Sequence, residues 1–382
     1  MSQFRIIAGC FCCLLSAGLA SSQAQPPASV GKISVSGRHL LRDGKVWTAH
    51  GYFQIAFTVP PAAFSLPGTN PVFVEAYNNY SPSEYSDMRA AGADSVRLTL
   101  SQNASDPENP NYDGAFLQRA IGAIQAAREV GLTVIVAVQD EAQGTAKAEL
   151  PDAATERVWR LLTPFFGRDR GVMFELYNEP NVDPTATATT PPTKKQWEEW
   201  AAAMNKVITE VRALGSVNVI VADGLVDAQQ LTGAPALDDP LQQVAYASHP
   251  YPVGPGQGIE TSWAQKFGDF AQTAPVIITE WGVGYYCNSH TPESVVKFLS
   301  YLKKNDIGLE AVAWDWDNYR FASARQGRPG VFSSLLTPAI PSGCTAANHN
   351  APGEGSGPGT AFGPGKAIET WYLTGDPPSR PE

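Results

Sequence analysis

Short runs of β-branched and other apolar residues alternate along the chain with longer runs whose apolar residues recur every three or four positions. The short runs lie at 46–53, 94–100, 132–139, 171–179, 217–224, 244–251, 275–282 and 309–317. They are apolar almost throughout, the pattern of strands buried on both faces. The long runs are clearest at 114–131, 193–215 and 292–306 and have the helical period. The first two end in glycine, a helix stop, and the third opens on Pro292 in its first turn. Alternation of this kind predicts an α/β fold with a parallel sheet covered by helices, and eight units can close into a single (β/α)8 TIM barrel. An open doubly wound sheet is the other arrangement of the same units. The segment 33–45, with its Asp43-Gly44 turn, predicts a small N-terminal hairpin plugging the barrel bottom.

The connections are unequal. Those leaving strand C-termini are long and irregular, at 101–114, 180–192, 250–258 and 318–365, whereas those returning into strands are short. In a barrel, long loops at the strand C-termini surround the active site. The Gly/Pro-rich stretch 350–365 reads as a loop before a last helix at 365–375. No internal repeat or separate binding module interrupts the pattern, so 25–382 is expected to be one domain.

The strand ends carry polar and aromatic residues. Arg97 ends the second strand, Gln139-Asp140 the third, Asn178-Glu179 the fourth, His249 and Tyr251 the sixth, Glu280-Trp281 the seventh, and Trp314-Asp315-Trp316 the eighth. Burying so many polar groups at random is costly, and a shared wet pocket is the simpler account. Glu179 and Glu280 would face each other across the mouth. Paired carboxylates suit glycoside hydrolysis, where one donates a proton to the leaving oxygen and the other, ionised, attacks or activates water. Aromatic rings at the mouth suit sugars, whose C–H faces are apolar. Each residue also has a plainer reading. Asn178 can be a turn residue before Pro180, Arg97 a structural ion-pair partner, His249 a satisfied core histidine and Tyr251 simple packing. Trp314 and Trp316 share one face of the strand, and one of them can be core alone. Trp281 reads as barrel packing. His290 with His249 lacks metal-ligand spacing, and neither metal nor cofactor is expected.

Composition narrows the partners. Formal charge is −10, from 27 basic and 37 acidic residues, which argues against a nucleic-acid or anionic-membrane surface. Hydrophobic content of 43% is that of a globular chain, and a monomer is expected. Arg5 is the sole charge before Lys32; an apolar run at 6–20 follows it, then the small-x-small pattern Ser22-Gln23-Ala24. These features predict a secretory signal peptide over 1–24 and a secreted mature protein, extracellular or periplasmic and free of the membrane. An uncleaved anchor is the alternative. Cleavage would remove Cys10, Cys12 and Cys13 and leave Cys287 and Cys344, an even pair that predicts one disulfide in an exported protein.

The motifs Tyr177-Asn178-Glu179-Pro180 and Ile278-Thr279-Glu280-Trp281-Gly282, with His249-Pro250-Tyr251 between them, resemble the signature of clan A retaining glycosidases. With Ser95-Val96-Arg97-Leu98 on the second strand and Ala313-Trp314-Asp315-Trp316 on the eighth, residues 30–372 resemble glycoside hydrolase family 5, the cellulase-like β-glycanases. The resemblance implies a glycosidase acting on β-glucan or a related polysaccharide, an endo-β-1,4-glucanase first. Mannanase, xyloglucanase or β-1,3-glucanase specificity, or a non-catalytic sugar-binding barrel, are the alternatives. It implies Glu179 as acid/base, Glu280 as nucleophile and Asn178 on the sugar 2-hydroxyl. Arg97 and Tyr251 would orient Glu280, His249 would stand near Glu179, and Trp314 would be the platform under the cleaved sugar. The family usually has histidine where this chain has Gln139-Asp140.

Overall fold

The structure is a computed structural model that describes residues 31–66, 69, 71–139, 149–187, 189–251, 259–282, 292–315 and 364–379. The segment 1–24 therefore lies outside the described residues, as do Asp140, Cys287, His290, Trp316 and Cys344. No helix among the described residues is long and apolar enough to cross a membrane.

Three short antiparallel strands come first: β1 (Ile33–Ser36), β2 (His39–Arg42) and β3 (Lys45–Val46). Eight parallel strands then close a barrel: β4 (His50–Gln54), β5 (Ser95–Ser101), β6 (Thr133–Gln139), β7 (Val172–Glu175), β8 (Ile220–Asp223), β9 (Val244–Ala247), β10 (Val276–Trp281) and β11 (Gly308–Ala311). Pairing of β11 with β4 completes the ring, so the doubly wound alternative falls away. The first expected strand, 46–53, is divided. Val46 pairs back onto Leu41 in the small sheet and only His50 onward enters the barrel.

Helices fill the connections. Asp113 caps Gly114–Glu129, and Thr193 with Gln196 forms a capping box on Lys194–Ala213. Gly131 and Gly215 end the two segments at φ of 83° each, the left-handed turn that glycine accepts most readily. A third helix, Ala153–Phe166, buries Val158, Trp159 and Leu162 against the barrel.

The core has two parts. One lies between the sheet and its helices. The other fills the lower barrel, where Ile135, Met173, Val219, Val221, Ala245, Ala247 and Ile277 meet Ile33, Leu40 and Trp47 of the N-terminal sheet. That sheet is the expected plug. Where the ring closes, Tyr372 on the helix Pro364–Thr374 places its hydroxyl 2.8 Å from the Gly51 carbonyl and 2.9 Å from that of Leu309. It thus bridges β4 and β11.

Candidate active site

The upper ends of β7 and β8 are pinned from outside. Trp159 donates its indole N–H to the Leu176 carbonyl at 2.8 Å, and Trp200 donates to the Asp223 carbonyl at 2.8 Å. Beyond Glu175 the chain is no longer regular strand, yet Leu176 N–H still reaches Val221 O and Asn178 N–H reaches Val138 O. At Glu179 the backbone turns left-handed, with φ of 55°. For a residue with a Cβ this conformation costs about 1–2 kcal/mol. Here the Glu179 N–H is taken by Asp223 Oδ2 at 3.0 Å. Neighbours on a regular strand point to opposite faces. The left-handed step instead brings Asn178 Nδ2 to 3.3 Å from Glu179 Oε2. Past β8, Val226, Asp227 and Ala228 are also left-handed, and the Ala228 carbonyl accepts the His249 main-chain N–H at 2.8 Å.

Arg97, wholly buried on β5, organises the opposite side. Its Nε and Nη2 grip Glu175 at 2.9 and 2.6 Å. Nη2 also donates to Asn178 Oδ1 at 2.6 Å, and Nη1 donates to Glu280 Oε2 at 2.8 Å. Phe53 lies beneath the guanidinium, 4.6 Å from Cζ to ring centre. Tyr251 donates its hydroxyl to Glu280 Oε1 at 3.1 Å. His249 stands between the two glutamates, with Nδ1 2.9 Å from Glu179 Oε1 and 4.0 Å from Glu280 Oε2. Its Nε2 lies 2.9 Å from Thr279 Oγ1. The Glu179 side chain is 21% exposed and that of Glu280 16%, while Arg97, Glu175, Asp223 and His249 are sealed. Two carboxyls therefore face the mouth, above a buried network that holds them.

The charges follow from burial and neighbours. Burial and the adjacent Glu179 carboxylate push the Glu280 carboxyl up, against the pull of His249, Arg97 and Tyr251. Burial also pushes the Tyr251 phenol far up, so it remains a donor. Burial alone would raise Glu175 too, but Arg97 more than reverses it and holds that carboxyl low. Asp223, buried beside Glu175, is pushed well above the carboxylate range.

Of the residues expected from sequence, Arg97, Asn178, Glu179, His249, Tyr251 and Glu280 come together. Gln139 ends β6 opposite Ser101 and is buried. Trp314, expected as the sugar platform, is 1% exposed, with its ring 5.0 Å from that of Tyr52. Trp316, its partner in that role, lies outside the described residues. Trp281 packs on Phe298, as a barrel residue should.

Glu175, Asp223 and Thr279 were not anticipated. The signal for the first two is an acid inside an otherwise apolar strand, which has to find a partner once buried. Two triplets, Glu175–Asp223–His249 and Glu179–His249–Glu280, each bring donor atoms within 4.8 Å of one another. Neither is read as a metal centre, because Arg97 supplies the positive charge to Glu175 and to Glu280.

Comparison with known proteins agrees with this geometry. The family model described as cellulase, glycosyl hydrolase family 5, matches residues 60–320. Among solved structures, a β-glucanase from Saccharophagus degradans in complex with cellotetraose is similar at a TM-score of 0.60 and 19% identity, over 81% of this chain and 92% of that one. The catalytic domain of an endoglucanase from Thermobifida fusca aligns at 0.57 and 17%, over 78% and 92%. A β-mannanase from Thermomonospora fusca aligns at 0.51 and 17%, over 77% and 88%. At such identities the likeness extends to the fold, whereas the family match spans most of the barrel and its strand-end motifs. The chain belongs to glycosyl hydrolase family 5 and is a glycosidase built on a (β/α)8 barrel.

Proposed function

We propose that the protein is a retaining endo-β-1,4-glucanase, with Glu179 as acid/base and Glu280 as nucleophile. One observation carries the reading: oxygens of the two carboxyls lie within 4.8 Å of each other around His249. Retaining pairs stand about 5–5.5 Å apart and inverting pairs about 6.5–9.5 Å, since an inverting site must admit a water between carboxyl and sugar.

In the first step a Glu280 oxygen bonds to the anomeric carbon. The bond to the leaving oxygen breaks, and that oxygen takes the Glu179 proton. In the second, Glu179 takes a proton from water, the water oxygen bonds to the same carbon, and Glu280 leaves as carboxylate. The hydrogen bonds suit this order. Thr279 lies within donating reach of Glu175 Oε1, at 3.4 Å, and its oxygen can then accept from His249 Nε2–H. The neutral imidazole then turns an Nδ1 lone pair to Glu179, which bonds to it only as the acid. With Glu179 protonated, the neighbouring charge that raises Glu280 disappears, leaving Arg97 and Tyr251 to keep Glu280 ionised. Asn178, gripped by Arg97, would meet the sugar 2-hydroxyl.

The cello-oligosaccharide in the S. degradans relative supports a β-1,4-glucan substrate, and the β-mannanase defines the rival to test. Reducing-sugar release from carboxymethyl-cellulose, mixed-linkage β-glucan, xyloglucan, β-mannan and β-1,3-glucan should be fastest on a β-1,4-glucan, with an early fall in viscosity. Fastest release from mannan would overturn the substrate assignment. Early-time NMR of the product should show the β-anomer first. An initial α-anomer would remove Glu280 from its role.

We further infer export, on the strength of the apolar run at 6–20 and the pattern at 22–24. A Cys287–Cys344 disulfide accompanies that inference. Intact mass of the exported protein with and without reductant tests both, and two alkylatable thiols would refute the bridge.

A further inference from the structure

Asp223 takes no direct part in the chemistry above, yet it touches the acid/base residue. Its surroundings are one-sided. The described charged and titratable groups that face it are Glu175, Arg97 and His249, whose Nε2 is 3.8 Å away. Arg97 spends its donors on Glu175, Asn178 and Glu280. A carboxylate at Asp223 would therefore stand against the Glu175 carboxylate in a dry interior without a cation of its own. Oxygens of the two carboxyls lie within 4.8 Å of each other, and two buried carboxyls so close favour a state in which one of them holds a proton. The oxygens of Asp223 divide accordingly. Oδ2 accepts the Glu179 main-chain N–H at 3.0 Å, and Oδ1, equally buried, finds no donor.

We propose that Asp223 is a positioning residue for Glu179: a neutral carboxyl that donates to Glu175 and accepts the Glu179 N–H, holding Glu179 in its left-handed backbone without adding charge beneath it. The inference rests on Glu179 being the acid/base. Neutrality matters because His249 lies between the two. A negative charge near Nε2 would draw a second proton onto the imidazole. The imidazolium would then bond to Glu179 as a carboxylate, and the acid needed for the first step would be lost. Asp223 thus acts through Glu179 and not on the sugar.

The test compares Asp223→Ala, Asp223→Asn and Glu179→Ala on polysaccharide and on an aryl cellobioside with a good leaving group. An amide reproduces both hydrogen bonds of a neutral carboxyl and cannot ionise. Asp223→Asn should therefore remain within about threefold of the parent on polysaccharide, with the alkaline limb of its pH profile in place. Asp223→Ala should lose about 10²-fold on polysaccharide, the scale of a 1 Å misplacement of a catalytic group. It should lose much less in the first step on the aryl substrate, which needs little protonation. If Asp223→Asn falls as far as Glu179→Ala, or displaces the alkaline limb, Asp223 works as a carboxylate and the proposal fails. That outcome stands even where Asp223→Ala does not fold. If Asp223→Ala folds and loses both substrates equally while Glu179→Ala discriminates between them, the proposal fails and the acid/base assignment survives. If Glu179→Ala itself shows no discrimination, the assignment falls and takes the proposal with it.

Discussion

Glu179 and Glu280 carry the same side chain at the mouth of the same barrel, and they are held in opposite ways. Glu280 stands within β10, the seventh barrel strand, where the pairing with β11 shifts register between Ile278 and Trp281, and two side-chain donors reach it, a guanidinium and a phenol. Glu179 stands past the end of its strand on a left-handed backbone, held through its own N–H by Asp223, with an imidazole as its side-chain neighbour. Strong fixed donors favour a group that has to be ionised when it reacts. A neighbour able to give or take a proton favours a group that has to change state twice in each turnover. The difference in support, more than any difference in the residues, divides the two proposed roles.

The largest effect should come from removing the ionised side. Glu280→Ala is expected to lower activity on the order of 10⁵-fold, as loss of a nucleophile does, for every leaving group, with added azide giving inverted α-azide at best. Equal residual rates with Glu179→Ala would erase the distinction. Glu179→Ala should lower polysaccharide hydrolysis by about 10²–10⁴-fold, the usual worth of a general acid. It should spare the first step on activated aryl glycosides, and azide should then yield a β-glycosyl azide. Arg97→Met tests what joins the two sides. It strips Glu175, Asn178 and Glu280 of a common partner in the interior and should cost about 3–5 kcal/mol of stability, read from urea denaturation. An unchanged midpoint would show that the network is not carried by Arg97. Tyr251→Phe should have the mildest effect. One hydrogen bond to a charged group is worth about 1.5–3 kcal/mol, so a loss of roughly 10- to 100-fold in kcat is expected. The sign of its pH effect is defined. Glu280 is already raised by burial and by Glu179, and the phenol lowers it. Without the phenol the carboxyl rises further, so the acid limb of kcat/KM should move to higher pH. A rise of the alkaline limb with the acid limb in place would show that Tyr251 serves the other carboxyl.

The chain's apolar rhythm showed all eight barrel strands and which of their ends would gather, because a buried parallel strand leaves a long apolar run with its exposed chemistry at the tip. The Asn178-Glu179-Pro180 ending even showed that regular pairing must stop there. What it did not show was how. The left-handed step at Glu179 depends on Asp223, distant in sequence, and a single strand carries no mark of its neighbour's carboxyl. Glu175 lay in plain view three residues before Asn178, but an acid within a strand does not announce whether its partner is solvent or Arg97. The burial of Trp314 was hidden for a related reason: period two assigns it a face of the strand, but its packing on Tyr52 is decided by the strand beside it.

The hydroxyl of Tyr372, shared between Gly51 and Leu309, has a consequence for the order in which the protein is made. The ring closes where β11 meets β4, and the group that bridges that seam emerges from the ribosome after every barrel strand. Until then the β4–β11 seam lacks its side-chain bridge, and whenever it opens it exposes two sheet edges, the kind of surface to which other chains add themselves. A growing chain can assemble staves in sequence, but the hoop arrives last. Chains stalled or cut before the helix Pro364–Thr374 should therefore aggregate through that seam, not simply lose a helix.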